Sequence, residues 1–236
     1  MIDVAEYKRH PPKPGMTYLR EPSAFDMQDP IIVRLMQPAD LDTLQSICRR
    51  AYSENFGHHW QEEGLSEYLE KVFGTNILTA ELADPHIRFY VAFREHGSDS
   101  AEAPAATQGP ATQESLAVGL RAGEPVAFMK LNLYSNLPGA PPEKGIELDK
   151  LYILPDCKGQ KIGARMMDLA FGVAEMTGKD DFWLAVIDTN APAITFYEKY
   201  GFRSHSTTRV GYPQFREELK GMWRMHAHIK KVAARL

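Results

Sequence analysis

The sequence predicts a mixed α/β domain, and three observations carry that reading. Apolar strand-like runs alternate with segments whose apolar residues recur at helical spacing, in the order β-α-α-β-β-β-α-β-α-β-β without internal repeat. The chain has 236 residues, 44% of them apolar, and a net charge of -4, which suits one soluble domain with an added tail or loop. The last two runs, "FRSHSTTR" and "GMWRMHA", are short and close together, as the outer pair of an antiparallel arrangement would be.

Residues 1–30 are polar and carry five prolines, so they read as an N-terminal extension, with the domain proper at 31–236. "IIVRLM" (31–36) is a short strand. The helix that follows begins at Pro38 among acidic residues, as helix starts prefer, and Leu41, Leu44, Ile47, Cys48 and Ala51 share one face. A second helix over 62–73 has Leu65, Leu69 and Val72 in register, and "IRFYVAFR" (87–94) is a buried strand. The stretch 97–115, rich in Ala, Ser, Gly, Pro and Gln without a period, reads as a flexible insertion. Strands follow at 125–134 and 146–154. A helix runs from the "KGQKIG" turn to about Thr177, with Ile162, Met166, Leu169, Ala170 and Val173 as its stripe and Gly178 as its cap. "FWLAVI" (182–187) is a strand and "APAITFYEKY" a short helix ending at Gly201.

Composition excludes several classes of function. Mild acidity argues against a general nucleic-acid binder, which needs a basic surface. The first fifteen residues have no apolar core of a signal peptide, and no run approaches ~18 apolar residues, so no membrane association is expected and the cytoplasm is the default location. Cys48 and Cys157 have no partner spacing, so neither a disulfide framework nor a zinc site is expected. His58 and His59, and likewise the alternating His226 and His228, read as solvated or structural, and no metal is expected.

The chemistry gathers around "KGQKIGARMM" (158–167). A strand ending at Pro155 delivers the chain into a Gly-Lys turn that opens a helix. Helix starts expose unpaired N–H groups and a partial positive charge, and glycine lets the backbone approach an anion closely. Gly159 and Gly163 flank Gln160, Lys161 and Ile162, and Lys158 adds a second cation. The pattern is neither a P-loop nor a dinucleotide fingerprint. Glu147 and Asp149 lie two apart on the preceding strand, hence on one face by strand alternation.

Two motifs together resemble the GNAT superfamily of N-acetyltransferases. The pyrophosphate signature of that family, Arg/Gln-x-x-Gly-x-Gly/Ala, falls on Lys158 to Gly163, with Lys158 in place of Arg or Gln and Lys161 in place of the first Gly. Asn-x-x-Ala-x-x-x-Tyr followed by Gly-Phe is met in full by Asn190, Ala193, Tyr197, Gly201 and Phe202. The segment from Arg50 onward is similar to PaiA-like acetyltransferases, a branch associated with polyamines. Residues 1–30 and 97–115 lie outside the resemblance.

The resemblance implies a mostly antiparallel sheet with two parallel strands, 146–154 and 182–187, splayed into a V between flanking helices. It implies acetyl-CoA as acyl donor. The pantetheine arm would pair with Leu151, Tyr152 and Ile153, the pyrophosphate would sit on the turn from Lys158 through Gly159, Gln160, Lys161, Ile162 and Gly163 to Ala164, and Asn190 would bond the arm or cap its helix. A glycine is required at 161 only if φ is positive there; with φ near the helical value the Lys161 Cβ turns away from the phosphate and lysine is tolerated. Attack on a thioester needs a neutral amine, whereas a free alkylamine has a pKa of about 10. Glu147 or Asp149 would accept that proton, and Tyr197 would protonate the departing thiolate. Glu54, Glu62, Glu63 and Glu67 lie on the segments expected to flank the acceptor mouth, with Glu147 and Asp149 on its floor, and they read either as steering for a small cationic amine, polyamines first, or as an ordinary solvated helix face. A peptide acceptor in an open groove and a non-catalytic acyl-CoA sensor are the competing readings, and a homodimer is left open.

Overall fold

The computed structural model describes residues 31–61, 63–95, 123–139 and 145–229. The expected extension (1–30) and insertion (97–115), and Glu62, lie outside the described residues.

The strands are β1 (Ile31–Leu35), β2 (Ile87–Arg94), β3 (Glu124–Asn132), β4 (Gly145–Ile153), β5 (Asp181–Ile187), β6 (Arg203–Arg209) and β7 (Gly221–His228). They form one sheet in the order β1-β2-β3-β4-β5-β7-β6, antiparallel at every pair except β4–β5. The helices are α1 (Leu41–Phe56), α2 (Gly64–Phe73), α3 (Thr75–Ala83), α4 (Ile162–Met176) and α5 (Ala191–Lys199). This is the mixed sheet flanked by helices that the sequence predicts, with strand boundaries within two residues of the expected ones.

α1 starts where Pro38 and Asp40 allow it. The Asp40 carboxylate accepts from the Gln37 amide at 2.8 Å and from Arg34 Nη1 at 3.0 Å, so the carboxylate sits at the positive end of the helix. Leu44, Ile47, Cys48, Ala51 and Tyr52 form its buried face. α3 is the element the sequence does not predict. Only Leu78 of its nine residues is buried, so it shows no apolar repeat. It is separated from α2 by Gly74, whose extended backbone breaks the helix and whose absent Cβ would meet the Glu70 carbonyl oxygen at 2.3 Å. At the end of α4 the Gly178 backbone is left-handed (φ 67°). The Lys179 amide reaches back to the Ala174 carbonyl at 2.9 Å and the Gly178 amide to Glu175 at 3.0 Å, the glycine cap the sequence predicts.

Two irregularities shape the centre of the sheet. β4 pairs with β5 only from Gly145↔Asp181 to Leu148↔Leu184, and beyond those residues the two strands run on without pairing to each other. Across β3, Asn132 faces Glu147 and Lys130 faces Lys150, but Leu131 faces Leu148, so Asp149 is one residue too many and β4 bulges there. The bulge removes the simple alternation expected for Glu147 and Asp149. Lys150 joins Glu147 opposite the Asn132 and Lys130 positions of β3, and Asp149, the extra residue, reaches Lys130 as well, at 3.0 Å.

Candidate active site

The fork between β4 and β5 opens into a cavity of about 880 Å3. Its walls bring together most of the residues the sequence singled out: Glu147, Asp149, Leu151, Tyr152, Ile153, Lys158, Gly159, Lys161, Ile162, Gly163, Ala164, Asn190 and Tyr197. Gln160 is the exception. It is not part of the wall, and its amide nitrogen turns back to the Asp156 carbonyl at 3.4 Å.

One end of the cavity is the start of α4. The first bond of this helix runs from the Arg165 amide to the Lys161 carbonyl at 3.1 Å. The amides of Ile162, Gly163 and Ala164 precede it and have no helical carbonyl to reach, so they form a donor cluster at the positive end of the helix. Gly159 supplies a left-handed turn (φ 84°). Lys161 is left-handed too, at φ 60° and ψ 11°, so the condition under which lysine would be tolerated without strain is not met. The position has the backbone of a glycine but the side chain of a lysine, and this conformation costs about 1–2 kcal/mol for a residue with a Cβ. Gly163 sits in a tight place: a Cβ there would lie 3.3 Å from the side chains of both Ile153 and Phe196, so one of them would have to shift by a few tenths of an ångström.

Asn55 ties α1 to the fork, and nothing in the sequence pointed to it. Its amide nitrogen donates to the Ile153 carbonyl at 2.9 Å and to the Ala51 carbonyl at 2.8 Å, while its oxygen accepts from Lys158 Nζ at 2.6 Å. One side chain thus fixes the last residue of β4 and the first lysine of the turn. Asn190 caps α5 by accepting from the Ala193 amide at 3.3 Å, with Pro192 in the first turn.

The two carboxylates of β4 have opposite environments. Glu147 is half-buried and accepts from Asn132 Nδ2 at 2.9 Å and Ser135 Oγ at 2.8 Å. Burial raises its pKa above the usual carboxylate range, with the nearby Asp149 charge adding to the rise, and the two hydrogen bonds offset this only in part. Burial pushes Asp149 upward as well, but Lys150 and Lys130 overcome it and hold its pKa below the ordinary value. Lys150 Nζ lies 2.9 Å and Lys130 Nζ 3.0 Å from its oxygens, and Lys130 also meets Glu81 at 2.5 Å. Both lysines are buried, so Asp149 is their counter-ion. Tyr197 stands across the cavity on α5 beside Phe196 and Phe202, and burial pushes its hydroxyl pKa up, which keeps the proton on at neutral pH.

The other end of the cavity is aromatic. Tyr52, Phe56, Trp60, Tyr68, Tyr212 and Phe215 line it. Tyr52 stacks on Tyr68 at 4.5 Å between centroids, and Trp60 lies 4.9 Å from Tyr68 and 5.0 Å from Phe215. A bridge between Trp60 and Phe215 pins the 57–61 segment to the 210–216 loop, reinforced by bonds from Gln61 to Gln214 at 2.9 Å and from Arg216 to His59 at 2.8 Å. Both segments contribute to the cavity wall. Of the four glutamates expected near the mouth, Glu54, Glu63 and Glu67 lie among the described residues, on segments beside the cavity but not in its wall. Glu54 pairs with Arg50 at 2.8 Å, Glu67 accepts from Gln214 at 3.1 Å, all three are exposed, and none lines the cavity. Their helices turn the glutamates to solvent and the tyrosines inward.

A sheet parted between its one parallel pair, with a helix start at the parting, is the GNAT fold, and the sequence itself matches the acetyltransferase (GNAT) family over residues 42–202. The chain belongs to that family. It is 33% identical over 90 residues to a thialysine N-epsilon-acetyltransferase of Sus scrofa, an alignment covering 38% of this chain and 50% of that protein. The chain therefore spans about half the length of the curated relatives it matches. Among solved structures it is similar to the PaiA N-acetyltransferase of Thermoplasma acidophilum in complex with coenzyme A, with a TM-score of 0.59 and 19% identity over 84% of this chain and 99% of that one. It is also similar to the spermidine N-acetyltransferase of Vibrio cholerae in complex with CoA and spermine, with a TM-score of 0.53 and 14% identity over 86% and 98%. Among the described residues no helix is long and apolar enough to cross a membrane.

Proposed function

We propose that the chain transfers an acetyl group from acetyl-CoA to a primary amine of a small cationic molecule, with polyamines as the leading acceptors. The observation that carries this reading is a single cavity that joins the β4–β5 fork, the exposed amides at the α4 start, Glu147 and Tyr197. The pyrophosphate rests on the amides of Ile162, Gly163 and Ala164, with Lys158 and Lys161 beside it. The pantetheine arm enters the fork and pairs with the β5-facing main chain of Leu151, Tyr152 and Ile153, as an added strand would.

The amine nitrogen bonds to the thioester carbonyl carbon and the C–S bond breaks. Glu147 takes the proton the amine loses, and Tyr197 gives one to the departing thiolate, leaving an amide and free CoA. Of the two carboxylates Glu147 suits the base. Its raised pKa makes it a stronger proton acceptor, whereas Asp149 is committed to two lysines. The aromatic end receives the body of the acceptor, where ring faces attract distal ammonium groups once water is excluded. The names of the relatives, acting on thialysine and spermidine, point to amines of this class.

The bridge between Trp60 and Phe215 ties two lining segments together at the aromatic end, which favours a compact acceptor over an extended peptide. A carboxylate with a raised pKa and a protonated tyrosine in one cavity favour the catalytic reading over a non-catalytic sensor. The test is an acceptor screen with acetyl-CoA that reads thiol release. Spermidine, spermine and lysine-like amines should give turnover. Turnover confined to peptides, or thiol release without an acetylated amine, would overturn the acceptor assignment.

A further inference from the structure

We propose that the chain binds one divalent transition-metal ion of the zinc type through Asp181, His226 and His228, at a site separate from the acetyl-transfer cavity.

The three ligands come from two neighbouring strands and share one face. Asp181 opens β5, and its direct partner across the sheet is His228 on β7. His226 lies two residues earlier on β7, so strand alternation returns it to the same face. The Asp181 Oδ1 atom is 2.8 Å from His228 Nδ1 and 3.1 Å from His226 Nε2, and one ligand atom from each residue lies within 4.8 Å of the other two. Zinc bonds nitrogen and oxygen at about 2.0–2.2 Å, so a tetrahedral ion holds its donors about 3.3–3.5 Å apart. The two carboxylate–imidazole separations, 2.8 and 3.1 Å, are a few tenths of an ångström short of that spacing, and the two imidazole nitrogens lie within 4.8 Å of each other.

The surroundings fit an ion better than a plain ion pair. The three residues line a cleft of about 310 Å3 together with Leu137, Pro138, Gly139 and a third imidazole, His205. His205 is the extra residue of a bulge in β6, and its ring centroid lies 6.4 Å from that of His226. Four donors, three imidazoles and one carboxylate, from three adjacent strands therefore face one cleft with room for a water. Imidazole with a single carboxylate suits zinc and its first-row neighbours rather than calcium or magnesium, which prefer oxygen-rich sets. Without an ion, two partly exposed imidazoles on one carboxylate oxygen would add little to stability.

The site is distinct from the active site but not remote. Trp183 pairs with Glu147 on one side and His226 on the other, so the cleft lies two strands from Glu147 with the Trp183 indole between them. The indole is buried and its Nε1 donates to the Ser135 carbonyl at 2.9 Å. An ion here would staple β5 to the last turn of β7, close to Ile229, where the described chain ends.

The experiment uses the full chain without an affinity tag, stripped by a chelator and then titrated with Zn2+ against a chromophoric zinc indicator and with Co2+ in the visible range. We expect one equivalent of Zn2+ bound with Kd below about 10 µM, a Co2+ d–d band, and a Tm that rises with free metal. The double variant His226→Ala, His228→Ala should lose all three. Asp181→Asn, which keeps the shape, should weaken binding at least about tenfold. Circular dichroism and acetyl-CoA binding report whether each variant is folded. No saturable site in the wild type would overturn the proposal. So would a site that survives in the folded double variant, or one that is lost instead in His58→Ala, His59→Ala.

Discussion

Glu147→Gln and Asp149→Asn are nearly isosteric changes two residues apart, and they should act on different properties. In the first variant the new side-chain carbonyl can still accept from Asn132 and Ser135, so the local packing survives. What is lost is the ability to take a proton. A positioned base contributes about 10²–10⁴-fold, or ~2.7–5.4 kcal/mol of barrier, and kcat/KM should fall by that much. Stability should move the other way. The folded pKa of Glu147 lies above the unfolded one, so the folded state holds the proton more tightly and stability falls as pH rises from the ordinary carboxylate pKa through the raised value. An uncharged amide removes that loss, and the variant should match the wild type at low pH and be no less stable above the raised pKa. Asp149→Asn strips the counter-ion from buried Lys150 and leaves Lys130 only Glu81. Breaking a buried pair from one side costs about 3–5 kcal/mol. Because the Asp149 pKa is lowered, that stability is present above the unfolded pKa and is lost as pH falls through the folded one, so the deficit of the variant should shrink in acid. Urea melts at several pH values, paired with thiol-release kinetics, separate the two. If Glu147→Gln keeps full kcat/KM with a rate-limiting chemical step, or if Asp149→Asn is as stable as the wild type at neutral pH, the division of roles is wrong.

Tyr197→Phe keeps the ring and should lower kcat by ~10²-fold with acetyl-CoA affinity unchanged; a full-rate variant would refute the proton donor. Lys161→Gly relieves a left-handed residue and should raise stability by about 0.5–1 kcal/mol, a few tenths being returned through the freer unfolded chain; a less stable variant would show that the lysine side chain contributes more than its strain costs. Ala164→Glu places a carboxylate at the α4 start, where it suits the helix but repels a pyrophosphate, so acetyl-CoA affinity measured by calorimetry should fall at least about tenfold without loss of Tm. Tyr212→Leu should raise KM for spermidine by roughly 5–30-fold, the equivalent of ~1–2 kcal/mol of cation–π attraction, while KM for acetyl-CoA stays put; equal KM values would remove the aromatic end from acceptor binding.

The sequence by itself determined what depends on near neighbours. The α1 and α4 stripes, the Gly178 cap, the anion-type turn and the Asn190-to-Phe202 motif are local patterns, and a residue's periodicity or capping chemistry is set within a few positions of it. The α3 helix escaped because a helix with one buried residue has no period to show. Tertiary structure decided the rest. Lys161 is left-handed just before α4 starts; the glycine of the family pattern would have announced that backbone, and the lysine standing there does not. Glu147 and Asp149 look alike in sequence. Only the bulge in β4, and the arrival of Lys130 from β3 and Glu81 from α3, made one a counter-ion and left the other with a raised pKa. The glutamates of α1 and α2 are legible as a charged face, but only the packing of those helices shows that Tyr52 and Tyr68, not the glutamates, form the cavity wall. Asp181 lies 45 residues from His226, and only the pairing of β5 with β7 brings them within 3.1 Å. Short-range chemistry is written along the chain; charge environments and ligand sets are sums over strands that the sequence keeps far apart.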